Sequence, residues 1–107
     1  MEQENEKIQE IQILEQNMQN LLLQKQAFEM EISETEAALE EIENSGDDVY
    51  KIAGGILIKS SKQKIKSELE GKKKLLEMKI KSFEKQEALF SSRINSVRDD
   101  IMKHNKK

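Results

Sequence analysis

The side chains able to do chemistry are few in this chain and poorly placed for it. One histidine, His104, stands in the tail "MKHNKK", where it reads as a solvated side chain, so neither a histidine-based triad nor a histidine-rich metal site is available. Cysteine is absent, which removes thiolate nucleophiles, Cys-ligated metals and any disulfide framework. Asp47 and Asp48 are adjacent carboxylates, but within "NSGDD" they read as turn residues rather than an acid/base pair. "AGG" (53–55) and "EGKKK" (70–74) bring glycine and lysine together without the G-x-x-x-x-G-K-[ST] spacing that cradles phosphate. The lysines of "GKKK" invite a nucleic-acid reading, yet no aromatics are interleaved with them and the net charge is -3. The expectation is a protein that is not an enzyme, holds no cofactor or metal, and binds no nucleic acid.

Function must then lie in surfaces, and composition limits which ones. Of 107 residues, 36% are apolar, 36% are charged and none is proline, too lean a mixture for a thick globular core. High charge with few aromatics also marks disorder, but disordered chains lack sustained apolar periodicity. No run approaches the length needed to span a bilayer, and the acidic start "MEQENEKIQE" has no signal-peptide core. A soluble cytoplasmic protein without a membrane partner is expected.

Periodicity is where the chain is emphatic. Stepping alternately by three and four from Ile11 gives Leu14, Met18, Leu21, Lys25, Phe28, Ile32, Thr35, Leu39 and Ile42, of which only Lys25 and Thr35 are polar. The same spacing after Lys66 gives Leu69, Lys73, Leu76, Ile80, Phe83, Glu87, Phe90, Ile94, Val97 and Ile101. Both are coiled-coil seams. One antiparallel register pairs them throughout, Ile11 with Val97, Met18 with Phe90, Phe28 with Ile80 and Leu39 with Leu69, about a midpoint at Gly54. It also leaves Lys25 and Glu87 one step apart, able to pair across the seam.

Charge agrees with that register. Residues 29–48 hold nine acidic side chains and no basic one, facing 60–79 with seven lysines against three glutamates. Residues 1–19 and 89–107 are likewise opposite in sign. A parallel alignment would set like charges together. The predicted fold is therefore mainly α, a long antiparallel two-helix coiled coil forming a single domain over 1–107. Helix 1 spans about 2–44, a β-hairpin about 48–59 and helix 2 about 61–104, each helix on the order of 60 Å long at about 1.5 Å per residue. Gly46 is expected to cap helix 1 in a left-handed conformation, Ser60 with Gln63 to form a capping box, and Gly71 to loosen helix 2 locally.

Between the helices lies "VYKIAGGILIK" (49–59). Two central glycines suit a type I′ or II′ turn, pairing Ala53 with Ile56, Ile52 with Leu57, Lys51 with Ile58 and Tyr50 with Lys59. Pleating puts Tyr50, Ile52 and Leu57 on one face and Val49, Ala53, Ile56 and Ile58 on the other, both largely apolar. A two-stranded ribbon is not stable alone and has two open edges, so this hairpin is expected to complete a sheet or barrel with hairpins of other chains. The plainer alternative is a local turn packed on the helix ends.

These features resemble the prefoldin beta family, a short α-β-β-α chain, most specifically through "QKQAFEMEISETEAALEEI" (24–42), "VYKIAGGILIK" (49–59) and "FEKQE" (83–87). The likeness covers nearly the whole chain, and the middle segment has no space for the second hairpin of the alpha class. It implies a heterohexamer of two alpha and four beta subunits, whose hairpins join an intersubunit β-barrel from which six coiled coils project. Such assemblies resemble ATP-independent holdases that capture nonnative polypeptides and pass them to a group II chaperonin. The barrel role carries over to Val49, Tyr50, Ile52, Ala53, Ile56, Leu57 and Ile58.

The resemblance places client binding at the coiled-coil tips, which here hold both termini. Ile8, Ile13 and Met102 lie off the seam there, and fraying would add Ile11, Leu14, Val97 and Ile101. Such side chains can hold apolar segments weakly and without sequence preference. Singly, exposed apolar residues are ordinary. The competing functional classes are a coiled-coil spacer or adaptor that binds no client, and the helical arm of a nucleic-acid enzyme.

Overall fold

The computed structural model describes residues 2–105, excluding the side chains of Gln3, His104 and Asn105, so the expectation for His104 lies outside the described residues. The element order is α1 (Glu2–Asn44), β1 (Val49–Ala53), β2 (Ile56–Ser60) and α2 (Lys62–Asn105). The chain divides into two compact units, one of Met1–Gln26 with Lys81–Lys107 and the other of Ala27–Ile80.

In the first unit the seam residues of α1 and α2 turn toward each other. Leu21, Ile94 and Val97 are buried, while Ile11, Leu14, Met18, Phe83, Phe90 and Ile101 are half-buried between them. Each leucine- or valine-sized side chain so covered contributes up to about 1.5–3 kcal/mol. Ion pairs across the two helices fix the antiparallel direction: the Arg93 Nε donates to Glu10 at 2.9 Å and the Arg98 guanidinium to Glu15 at 2.7 Å. The two polar seam positions meet as the spacing predicts, Lys25 Nζ standing 3.3 Å from the Glu87 carboxylate, both partly sheltered.

In the second unit Leu76 is buried, and Phe28, Ile32, Leu39, Ile42, Leu69 and Ile80 are half-buried. Thr35 is only 3% exposed although polar. Its hydroxyl donates to the Glu31 carbonyl one turn back at 2.7 Å, so it needs no partner across the seam. Glu36–Lys73 and Glu43–Lys66 pairs join the acidic helix to the basic one, and the Lys79 ammonium sits 5.1 Å over the Phe28 ring.

The helix ends depart from the sequence expectations. Among the described residues positive φ occurs only at Gly54 and Gly55, so Gly46 is not a left-handed cap. The carbonyls at the end of α1 and just past it find other donors: the Ser45 hydroxyl bonds the Ile42 carbonyl at 2.8 Å, and Lys62 Nζ reaches the carbonyls of Glu43 and, one residue beyond the helix, Ser45 at 3.2 and 3.1 Å. With no basic residue in its own last turn, α1 takes its terminal cation from the start of α2. At that start, Ser60 is held in the β-ladder opposite Val49, so Ser61 becomes the N-cap and its hydroxyl accepts from the Lys64 N–H at 3.1 Å. Because N3 is then Lys64, the reciprocal half of a capping box is lacking.

Helix α2 runs unbroken through Gly71, where a Cβ would meet nothing within 4 Å. Gly71→Ala is therefore expected to stabilise the chain by about 0.5–1 kcal/mol, through helix propensity alone. Urea denaturation followed by circular dichroism checks this, and a loss of stability would show that glycine is needed within the isolated chain.

Candidate functional sites

The hairpin forms in the register its sequence dictates. Val49 pairs with Ser60, Tyr50 with Lys59, Lys51 with Ile58, Ile52 with Leu57 and Ala53 with Ile56. Gly54 at φ 57° and Gly55 at φ 79° both occupy the left-handed region, which selects the type I′ turn over II′. A side chain at either position would be strained, so the pair of glycines sets the register of everything that follows.

The ribbon is anchored at its base and open beyond it. Val49 is 8% exposed, and Lys51 is tied to Glu68 of α2 at 3.1 Å. By contrast Ile52 is 75% exposed and Leu57 63%, while Tyr50, Ala53, Ile56 and Ile58 are exposed as well. Both faces thus present apolar side chains, and the two strands form a sheet of only two members. Next to the ribbon, Tyr50, Lys51, Ile65, Glu68, Leu69 and Lys72 line a groove of about 240 Å³.

Near the chain termini the off-seam residues separate cleanly from the seam. Ile8, Ile13 and Met102 are exposed. Ile11, Leu14 and Ile101 are half-buried and Val97 is 2% exposed, so these four are already engaged by the opposite helix. Sequence reading did not single out Leu23, Met30, Leu75, Met78 and Leu89, which are also exposed on outward helix faces. Counting apolar positions off the seam as well as on it would have found them. No group of carboxylates, histidines or cysteines able to hold a metal occurs among the described residues, and no helix is long and apolar enough to cross a membrane.

A model of the prefoldin subunit family matches residues 5–107. The chain belongs to the prefoldin family. Within it the likeness is to beta subunits. That of Pyrobaculum neutrophilum is 40% identical over 88 residues, 80% of this chain and 70% of the relative. The beta subunit of Methanothrix thermoacetophila is 36% identical over 94 residues, 86% of this chain and 78% of the other. The crystal structure of the prefoldin beta subunit from Thermococcus strain KS-1 superposes with a TM-score of 0.90 at 30% identity, covering 95% of this chain and 91% of that one. Membership carries a chaperone role, and the single hairpin between two long helices is the prefoldin beta fold.

At the base of this prefoldin hairpin, Glu43, Asp47, Ser61, Lys62, Gln63 and Lys66 surround a polar cleft of about 400 Å³. The hydrogen bond from Lys66, reinforced by its charge, holds the Glu43 carboxyl below its ordinary value of 4.5. Reciprocally, the bond to Glu43 and its charge raise Lys66 above 10.5. A depressed carboxyl stabilises the fold above its unfolded pKa, and that contribution is lost as pH falls through the folded value. A raised ammonium acts below its own unfolded pKa and loses its effect as pH rises through the folded one. Glu43 should therefore titrate at lower pH than an ordinary glutamate in a carboxyl-carbon NMR titration, and Lys66→Met should move its midpoint up toward the ordinary value, with the charge of Lys62 still acting on it. An unmoved midpoint in the variant would mean the pair does not persist in solution.

Proposed function

We propose that this chain is the beta component of an ATP-independent holdase, acting as one prefoldin-like domain over 1–107. Its hairpin joins those of two alpha and three further beta subunits in a β-barrel. The supporting observation is the hairpin itself: a ribbon apolar on both faces, held to the helices only at its base by buried Val49 and the Lys51–Glu68 pair, is left to be covered by something outside the chain. In this cytoplasmic assembly the projecting coiled coils hold nonnative polypeptides, and a group II chaperonin receives them. Several weak apolar contacts presented together give a joint affinity that no single tip has. No chemical step is required, since holding and release need only burial and re-exposure of apolar surface.

Ile8, Ile13 and Met102 are the client-contacting residues in this reading. Their exposure makes them available without unfolding, whereas Ile11, Leu14, Val97 and Ile101 become available only where the helix ends fray. Apolar contacts of this kind carry no sequence preference, which suits clients of varied sequence, and methionine adapts its shape to them.

Two measurements test the halves of the proposal separately. Ile52→Asp with Leu57→Asp should abolish the complex seen by native mass spectrometry when the chain is mixed with a prefoldin alpha subunit, while circular dichroism shows the helices retained. A complex that survives both aspartates would remove the hairpin from assembly. Ile8→Ser, Ile13→Ser and Met102→Ser together should leave the complex intact and reduce protection of an aggregating client several-fold by light scattering, the effect of losing about 1 kcal/mol of apolar contact. Undiminished protection would move the client site elsewhere.

A further inference from the structure

Three features of the hairpin-bearing unit have no use in the chain as it stands, and they fall on two helix faces. On α2, Gly71, Leu75 and Met78 follow one another at helical spacing on the side away from the seam, all exposed, with Lys72 and Lys74 beside them. Glycine there weakens the helix by about 1 kcal/mol relative to alanine. It fills no tight spot, because nothing lies within 4 Å of where its Cβ would be. On α1, Met30, Glu34, Ala37 and Glu41 follow one another with the same alternation on the outward side, also exposed. Glu34, Glu41, Lys72 and Lys74 take part in none of the ion pairs that join the two helices, in contrast to Glu36, Glu43, Lys66 and Lys73.

The two faces are complementary to each other. Laid antiparallel, Met30 comes opposite Met78, Glu34 opposite Lys74 and Ala37 opposite Gly71, so that apolar meets apolar, acid meets base and the two small residues meet where the backbones cross. Within one chain these faces point away from the shared seam and cannot touch. We infer that they dock between neighbouring copies of this chain, the outer face of α1 on one copy against the outer face of α2 on the next.

This inference rests on the reading of the hairpin as the assembly element, and the antiparallel direction agrees with it. Since α1 and α2 of one chain are themselves antiparallel, an α1 set antiparallel to a neighbour's α2 places the two copies side by side with both hairpins at the same level. That is the arrangement pooled hairpins require. The contact is head-to-tail, using a different face on each copy, so it suits successive subunits around a ring rather than a two-fold pair. Opposite charge at the Glu34–Lys74 step also selects this register over one shifted along the helix, where acid would meet acid or Met78 would face a carboxylate.

The test is sedimentation velocity of the complex formed with a prefoldin alpha subunit, at low and high salt. Glu34→Lys or Lys74→Glu alone should weaken the complex by at least about tenfold at low salt, because like charges then face each other in the interface. The chain carrying both reversals should recover the parent affinity, because every contact again joins opposite signs. Gly71→Gln should raise the helix stability of the isolated chain and yet weaken the complex, since a long side chain holds the helices apart. If the single reversals and Gly71→Gln leave the complex unchanged while Ile52→Asp with Leu57→Asp dissociates it, the helix contact is overturned and the hairpin reading stands. If the hairpin aspartates also leave it unchanged, both fall.

Discussion

Two packed helices share a single line of mutual burial, and the remainder of this molecule follows from that limit. A seam of alternating three and four can cover only about two side chains per heptad from each helix. Everything else must be tolerable in water, which is why a chain with 36% charged residues folds at all. The seam is thin enough that its polar members count. Thr35 is admitted because its hydroxyl is satisfied within its own helix. Lys25 and Glu87 are admitted because each supplies the other's counter-charge. Their partial exposure keeps the cost of removing charge from water modest, and the pair opposes slippage along a mostly apolar stripe.

The hairpin breaks with this economy of burial. A two-stranded ribbon has no inner and outer face in the sense that a helix pair does, and here the turn fixes a register that leaves apolar side chains on both sides. Only the residue nearest the helices, Val49, is covered. The chain therefore combines helices whose seam is buried within the chain and a ribbon whose apolar faces the chain itself leaves uncovered. In the prefoldin family that division matches a subunit built to be one of several.

Sequence legibility followed the range of the interactions involved. The seam, the antiparallel direction, the Lys25–Glu87 pair and all four central hairpin pairings could be read directly, because each rests on a short repeat or on a turn whose residues dictate its geometry. Helix ends were read less well. Gly46 suggested a left-handed cap, but Ser45 and the distant Lys62 satisfy those carbonyls instead, and a donor arriving from the next helix leaves no local signature. The cap of α2 moved from Ser60 to Ser61 since the ladder extends one pair further than four, a consequence of the turn and not of the serines. Near the termini, position in the heptad separated exposed Ile8, Ile13 and Met102 from seam-bound Val97, whereas outward residues such as Leu75 and Met78 fall off the three-four repeat and so carry no seam signal.

The open ribbon also sets a demand on supply. Its unpaired edges offer backbone donors and acceptors to any extended segment, and Lys51 and Lys59 are the only charges between Val49 and Ser60 that discourage promiscuous strand addition. Both lysines are drawn toward carboxylates of their own chain, Glu68 and Asp48, which blunts them further as gatekeepers. A chain made in excess of its partners is thus an adhesive edge in search of a strand. Balanced synthesis, or prompt removal of orphan chains, becomes a condition of the fold's safe use.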